Sequence, residues 1–156
     1  MTINVFISYA HKDRALRDEL ATHLSNLRTL GVINDWYDGD IVPGTEWESQ
    51  ILQHLTNDEI ILLLVSADFM SSKYINSTEL KQAIKRHEAG KARVIPILLR
   101  ATDYEGAPFE KLQMLPTGAK PVQGSHWNYR DEAWQDVIKG LRVAIKDLQG
   151  PTAANP

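Results

Sequence analysis

Apolar positions fall into two periods along this chain, and the two alternate. Residues 3–9, INVFISY, are apolar and β-branched, which predicts a strand, and the polar turn AHKD follows. Asp13 is placed to cap a helix through RALRDELATHLSNLRTL, where Leu16, Leu20, Leu24 and Leu27 recur at helical spacing. Gly31 stands where a helix-ending glycine belongs. VINDWYD (32–38) reads as a second strand, polar enough to be an edge. After the loop DGDIVPGTEW, Thr45 and Glu48 have the spacing of a capping box for a helix EWESQILQHL. IILLLVS (60–66) is the most continuously apolar stretch, the pattern of a strand buried on both faces. A helix follows with Glu79 in its opening turns beside Leu80, Ala83 and Ile84, and it ends near Gly90. ARVIPILLR (92–100) predicts a fourth strand. ATDYEGAPFEKLQMLPTG is a long punctuated connection, AKPVQG a short fifth strand, and RDEAWQDVIKGLRVAIKDLQ a final amphipathic helix with Trp134 in the core.

Strands alternating with helices predict a doubly wound α/β domain: a parallel five-stranded sheet with helices on both faces. Residues 1–149 form that domain, and 150–156 (GPTAANP) lose all periodicity, as a linker or an appended end does. No internal repeat is visible. Ligands of such sheets bind beyond the carboxyl ends of the strands. Three segments converge there: SYAHKD, DGDIVPGTEW and SADFMSSKYINSTE, the last containing Glu79.

Composition narrows the chemistry. The 156 residues suffice for one domain with a real core. With 17 basic and 20 acidic residues, a net charge of -3 gives no footprint for nucleic acid. No apolar run is long enough to span a membrane, and the first residues enter a strand without a basic leader. The absence of cysteine removes disulfides and thiolate chemistry and fits a cytoplasmic setting. The five histidines show no helical metal spacing, so no metal is expected. There is no GxSxG elbow around Ser8 and no phosphate loop, and DGD lacks the remaining ligands of a calcium loop.

Two features carry possible function, each with a plainer alternative. Glu79 near a helix N-terminus can be a dipole partner worth about 0.3–1 kcal/mol. It also stands beside Tyr74, Ser71, Ser72 and Ser77, an aromatic with hydroxyls of the kind that binds sugars and nucleosides. The loop around Asp40, Ile41, Val42, Pro43 and Gly44 can be a turn before a capped helix. Alternatively its apolar tip, Ile41 and Val42, is a flap or docking element beside the crevice.

Together these stretches resemble the Toll/interleukin-1 receptor (TIR) domain family, in its bacterial branch, from about residue 3 to 148. VFISYAHKD is similar to the family's first box, and DGDIVPGTEW to the second with its proline–glycine pair. IILLLVSADFMSSKYINSTEL is similar to the third-strand region, ending in glutamate. RVIPILLR, GAPFEKLQMLP, and KPV followed by tryptophan and RDEAW resemble later parts of bacterial members. Two departures stand out: Ile75 occupies a position four before the glutamate where many enzymes carry an aromatic, with Tyr74 one earlier, and Gly39 stands where a basic residue is common.

The resemblance implies a flavodoxin-like fold and, in many bacterial and plant members, cleavage of the nicotinamide–ribose bond of NAD+. It puts the catalytic role on Glu79 and substrate contacts on Ser8, Tyr9, Trp47 and Tyr74, with NAD+ as substrate and no cofactor. It implies activation by self-association, with the loop Asp40–Gly44 contacting other TIR domains, and a further domain in a longer bacterial defence or signalling protein. One carboxylate suffices for this chemistry. Glycosidases use two, one to protonate an alkoxide leaving group, whereas nicotinamide leaves NAD+ neutral from a cationic ring nitrogen. A carboxylate aimed at the ribose stabilises the oxocarbenium charge that grows in the transition state. Water capture yields ADP-ribose, and capture by the adenine a cyclic product. The alternative is a non-catalytic TIR scaffold. A phosphoacceptor receiver is excluded, because Ser8 and Ser66 stand where it needs acidic residues.

Overall fold

The computed structural model describes residues 2–37, 53–54, 57–72 and 78–150, with Trp36, Tyr37, Thr78 and Glu79 described by their backbone alone. In chain order the elements are β1 (Ile3–Ser8), α1 (Arg14–His23), α2 (Ser25–Thr29), β2 (Ile33–Tyr37), β3 (Ile60–Val65), α3 (Ala67–Met70), α4 (Thr78–Glu88), β4 (Arg93–Leu98) and α5 (Arg130–Gln149). Short 3-10 turns occupy His11–Asp13 and Thr117–Ala119. Among the described residues every strand pairing is parallel and the order is β2-β1-β3-β4, with β2 at one edge, as its polar sequence suggests.

Strand alternation divides the core in two. Ile3, Val5 and Ile7 of β1 share one face with Ile60, Leu62 and Leu64 of β3, covered by the leucines of α1 and α2 and by Trp134, Val137 and Leu141 of α5. Phe6 shares the other face with Ile61, Leu63 and Val65, covered by Leu80 and Ala83 of α4, Phe69 of α3 and Phe109. All six residues of β3 are buried, which is why its sequence is apolar without alternation. Leu16, Leu20, Leu24 and Leu27 are buried as their spacing predicts. Two helices carry them, but Leu24 at the junction stays right-handed (φ -76°, ψ -11°) and the break is shallow. Gly31 follows with φ 72°, a left-handed backbone suited to ending a helix.

Two expectations need correction. The sheet has four strands among the described residues, not five. AKPVQG lies beside β4 but forms no ladder: Pro121 has no N–H, and Gly118 and Ala119 turn the chain at φ 76° and 55°. Ala119 donates within the turn, to the carbonyl of Pro116 (3.0 Å), and Val122 and Gln123 donate across to the carbonyls of Leu98 (2.9 Å) and Leu99 (2.8 Å). Leu115 occupies a neighbouring part of that edge, donating to Pro96 (2.9 Å) and accepting from Leu98 (2.8 Å). It also packs so closely on α5 that a Cβ at Gly140 would stand 2.5 Å from its Cδ2. The second correction is Asp13, whose side chain does not cap α1. Its carboxylate faces inward and has other partners.

The helix expected over EWESQILQHL lies largely outside the described residues, as does its capping box at Thr45 and Glu48; only Gln53 and His54 of that stretch are described, and they are helical. Of 150–156, only Gly150 is described. Among the described residues no helix is long and apolar enough to cross a membrane.

Candidate functional site

The strand order reverses between β1 and β3, and in such sheets the crevice for a ligand lies beyond the carboxyl ends at that point. Ser8 ends β1 in register with Leu63 and shares the face of Phe6, so it lies on the side covered by α4. Helix α4 joins the parallel strands β3 and β4, so its first turn, with Glu79 as second residue, stands at the carboxyl rim. Its last turn confirms the direction. His87 Nδ1 accepts from the amide of Val94 (2.9 Å) and Arg86 donates to the carbonyl of Asp58 (2.9 Å), both at the amino ends of the strands.

Tyr9 takes the other face. It is buried in the cluster with Leu16 and Leu20, its hydroxyl accepts from Arg17 Nη1 (2.8 Å), and the Arg17 guanidinium lies 4.7 Å from its ring centre. Ser71 is exposed at the end of α3, where its hydroxyl donates to the carbonyl of Asp68 (2.9 Å). Ser8, Ser71 and the backbone of Glu79 therefore belong to the crevice rim, and Tyr9 packs against α1. Trp47, Tyr74, the neighbouring Ile75 and the loop Asp40–Gly44 with Gly39 lie outside the described residues.

Beneath the rim is a polar cluster that sequence reasoning missed. Asp13, with its side chain 2% exposed, accepts from the hydroxyl of Ser66 through Oδ2 and from Arg100 Nη2 through Oδ1 (2.8 Å). The same Arg100 nitrogen donates to Asp68 Oδ2 (2.9 Å), and Lys12 Nζ stands 3.7 Å from Asp68 Oδ1. Ser66, fully buried, accepts from the amide of Phe69 (3.1 Å) and so caps α3. The bond from Arg100 holds the Asp68 carboxyl below its usual range, with Lys12 adding to it, and Asp68 in turn pushes the Arg100 guanidinium up. The signal was present as polar residues in the segments following three apolar strands, but their mutual contact depends on strand order.

At the opposite rim, His87 works as a neutral acceptor. Burial, reinforced by the nearby Arg93 charge, lowers its pKa below the ordinary histidine value. The unfolded chain therefore binds more protons between those two values, and stability falls as the pH drops through that window. Urea unfolding between about pH 7.5 and 5 is expected to show this loss, and His87→Gln to flatten it. Equal slopes in both proteins would contradict the assignment.

No group of three His, Cys, Asp or Glu suited to a metal ion occurs among the described residues.

Four parallel strands ordered β2-β1-β3-β4, with Asp13, Ser66, Asp68 and Arg100 gathered beyond their carboxyl ends, define a flavodoxin-like α/β domain. The family model described as TIR domain matches residues 5–138. The chain is similar to the Sinorhizobium fredii protein y4lF, 44% identical over 153 residues, covering 98% of this chain and 47% of that protein. Its fold is similar to the crystal structure of the TIR domain of the Toll-related receptor TRR-2 from Hydra magnipapillata. That likeness has a TM-score of 0.55 at 18% identity and covers 88% of this chain and 97% of the other. The chain belongs to the TIR domain family, in its bacterial branch. It spans about half the length of the curated relative it matches.

Proposed function

We propose that this domain cleaves the nicotinamide–ribose bond of NAD+, as a glycohydrolase or cyclase switched on by self-association. The observation that supports this reading most is topological. The helix that begins with Thr78 and Glu79 starts at the carboxyl rim and packs on the sheet face to which Ser8 belongs. The neighbouring carboxylates strengthen it, because Asp13 and Asp68 are both engaged by Arg100. A substrate cation developing in the crevice would then meet its compensating charge on Glu79. The carboxylate stabilises the ribosyl oxocarbenium ion as the C–N bond breaks, nicotinamide departs neutral, and water or the adenine captures the cation. Ser8, Ser71, Trp47 and Tyr74 are the proposed substrate contacts at the rim. Tyr9, on the opposite face, acts by holding the β1 end against α1.

Self-association is assigned to the loop Asp40–Gly44, with Ile41, Val42 and Pro43 meeting a second copy of the domain. The coverage of y4lF is compatible with a domain inside a longer bacterial defence or signalling protein, whose remainder clusters it. The test is NAD+ turnover measured dilute and on a multivalent support. Turnover per domain is expected to rise with local density in the wild type and to stay at the dilute level in Ile41→Asp. A clustered protein that assembles and leaves NAD+ intact would instead identify a scaffold that recruits other TIR domains.

A further inference from the structure

We infer that Arg100 is a positioning residue that clamps residues 66–72, on the chain between β3 and Glu79, an inference that rests on the catalytic reading of that glutamate. Three chain segments end at this rim, after β1, β3 and β4, and one guanidinium nitrogen joins all three. Arg100 Nη2 donates to Asp13 of the first (2.8 Å) and to Asp68 of the second (2.9 Å), while Arg100 itself follows the last strand. Asp13 also receives the hydroxyl of Ser66, so the β3 segment is gripped at two residues, Ser66 and Asp68.

The grip is transmitted along α3. Ser66 accepts from the Phe69 amide through its hydroxyl and from the Met70 amide through its carbonyl (2.9 Å). The Ser71 amide then bonds the Ala67 carbonyl (3.0 Å), and Ser72 bonds the Phe69 carbonyl through both its amide (3.1 Å) and its hydroxyl (2.7 Å). Phe69 is buried against Phe109 (6.5 Å between ring centres), which anchors the far side of the same turn. Every described residue from Ser66 to Ser72 is thus held by the clamp, bonded to a residue that is, or linked to it through one intervening residue, and Glu79 lies seven positions beyond Ser72. A carboxylate acting on a developing cation depends on distance, so this segment is where geometry controls rate.

The arrangement is also poor value as a mere stabiliser. An ion pair whose partners are a third exposed contributes little net stability, and a buried carboxylate carries a desolvation penalty. What it supplies is a single register for three loops. A guanidinium can point donors at two carboxylates in fixed directions, and an ammonium cannot hold both with the same geometry.

The test compares wild type, Arg100→Gln, Arg100→Lys and Asp68→Asn as the full chain on a multivalent support. Asp68→Asn takes the charge from one arm of the clamp at a half-exposed position and keeps the protein folded if Arg100→Gln does not. Expected for Arg100→Gln is a fall in kcat of the folded protein on the order of 10²-fold with KM nearly unchanged. Asp68→Asn is expected to show a smaller fall, and Arg100→Lys partial rescue. Amide exchange at Phe69, Met70, Ser71 and Ser72 should accelerate in Arg100→Gln and Asp68→Asn while α5 keeps its protection. An unchanged kcat in an active protein overturns the inference, as does unchanged exchange at those amides. If the wild type cleaves no NAD+, the catalytic reading fails by itself, and the exchange measurement still decides whether the clamp exists.

Discussion

Glu79→Gln is expected to reduce nicotinamide release by at least about 10²-fold while the domain stays folded and still binds NAD+. Glutamine keeps the volume and the hydrogen-bonding oxygen of glutamate and loses only its charge, so the substitution isolates electrostatics. A 10²-fold fall corresponds to about 2.7 kcal/mol of transition-state stabilisation, the size typical of removing one preorganised polar group from an active site. The effect should appear in kcat, because the oxocarbenium charge exists in the transition state and not in bound NAD+. Stability should move far less, since a charge at a helix N-terminus is worth about 0.3–1 kcal/mol. Steady-state kinetics beside thermal unfolding separate the two roles of Glu79. Activity within a few-fold of wild type would return Glu79 to the status of a helix-end charge.

Asp13→Ala is expected to cost about 3 kcal/mol, the largest stability loss of any polar substitution proposed for this domain. Two losses contribute. Ser66, fully buried, is left without the carboxylate that accepts its hydroxyl, and a buried donor without a partner costs about 1–3 kcal/mol. Arg100 loses one of its two carboxylates, but its side chain is 35% exposed and turns partly to water, which keeps the total at the low end for a broken buried pair. Asp68→Ala, at a half-exposed carboxylate, is expected to cost far less. Urea unfolding of both variants tests the contrast. Equal and small losses would mean that the buried carboxylate is not the centre of the cluster.

Much of the scaffold was legible because periodicity records burial. The continuous apolar run of β3, the heptad-like leucines of α1 and α2, the edge character of β2 and the full extent of α5 all follow from local pattern. The failures have a common cause. AKPVQG has the composition of a short strand, yet whether it forms a ladder depends on what already occupies the edge of β4, and Leu115 comes from elsewhere in the chain. Asp13 has the residue type and position of a helix cap, but a buried serine and an arginine 87 residues away compete for its carboxylate and win. The inward packing of Phe109 from an irregular connection is equally invisible to periodicity. At the site, Ser8 and Tyr9 looked equivalent as neighbours after a strand. Alternation sends them to opposite faces, which separates a rim residue from one packed on α1.

The central claim is that this domain breaks the bond between nicotinamide and ribose. Proton NMR of NAD+ incubated with the clustered wild-type protein follows that bond directly, since the pyridinium signals of NAD+ are distinct from those of free nicotinamide. The account expects the pyridinium signals to decline as free nicotinamide appears in equal amount, with Glu79→Gln leaving the spectrum unchanged. Intact NAD+ after prolonged incubation with protein shown to be assembled would contradict it and leave a module that works by association alone.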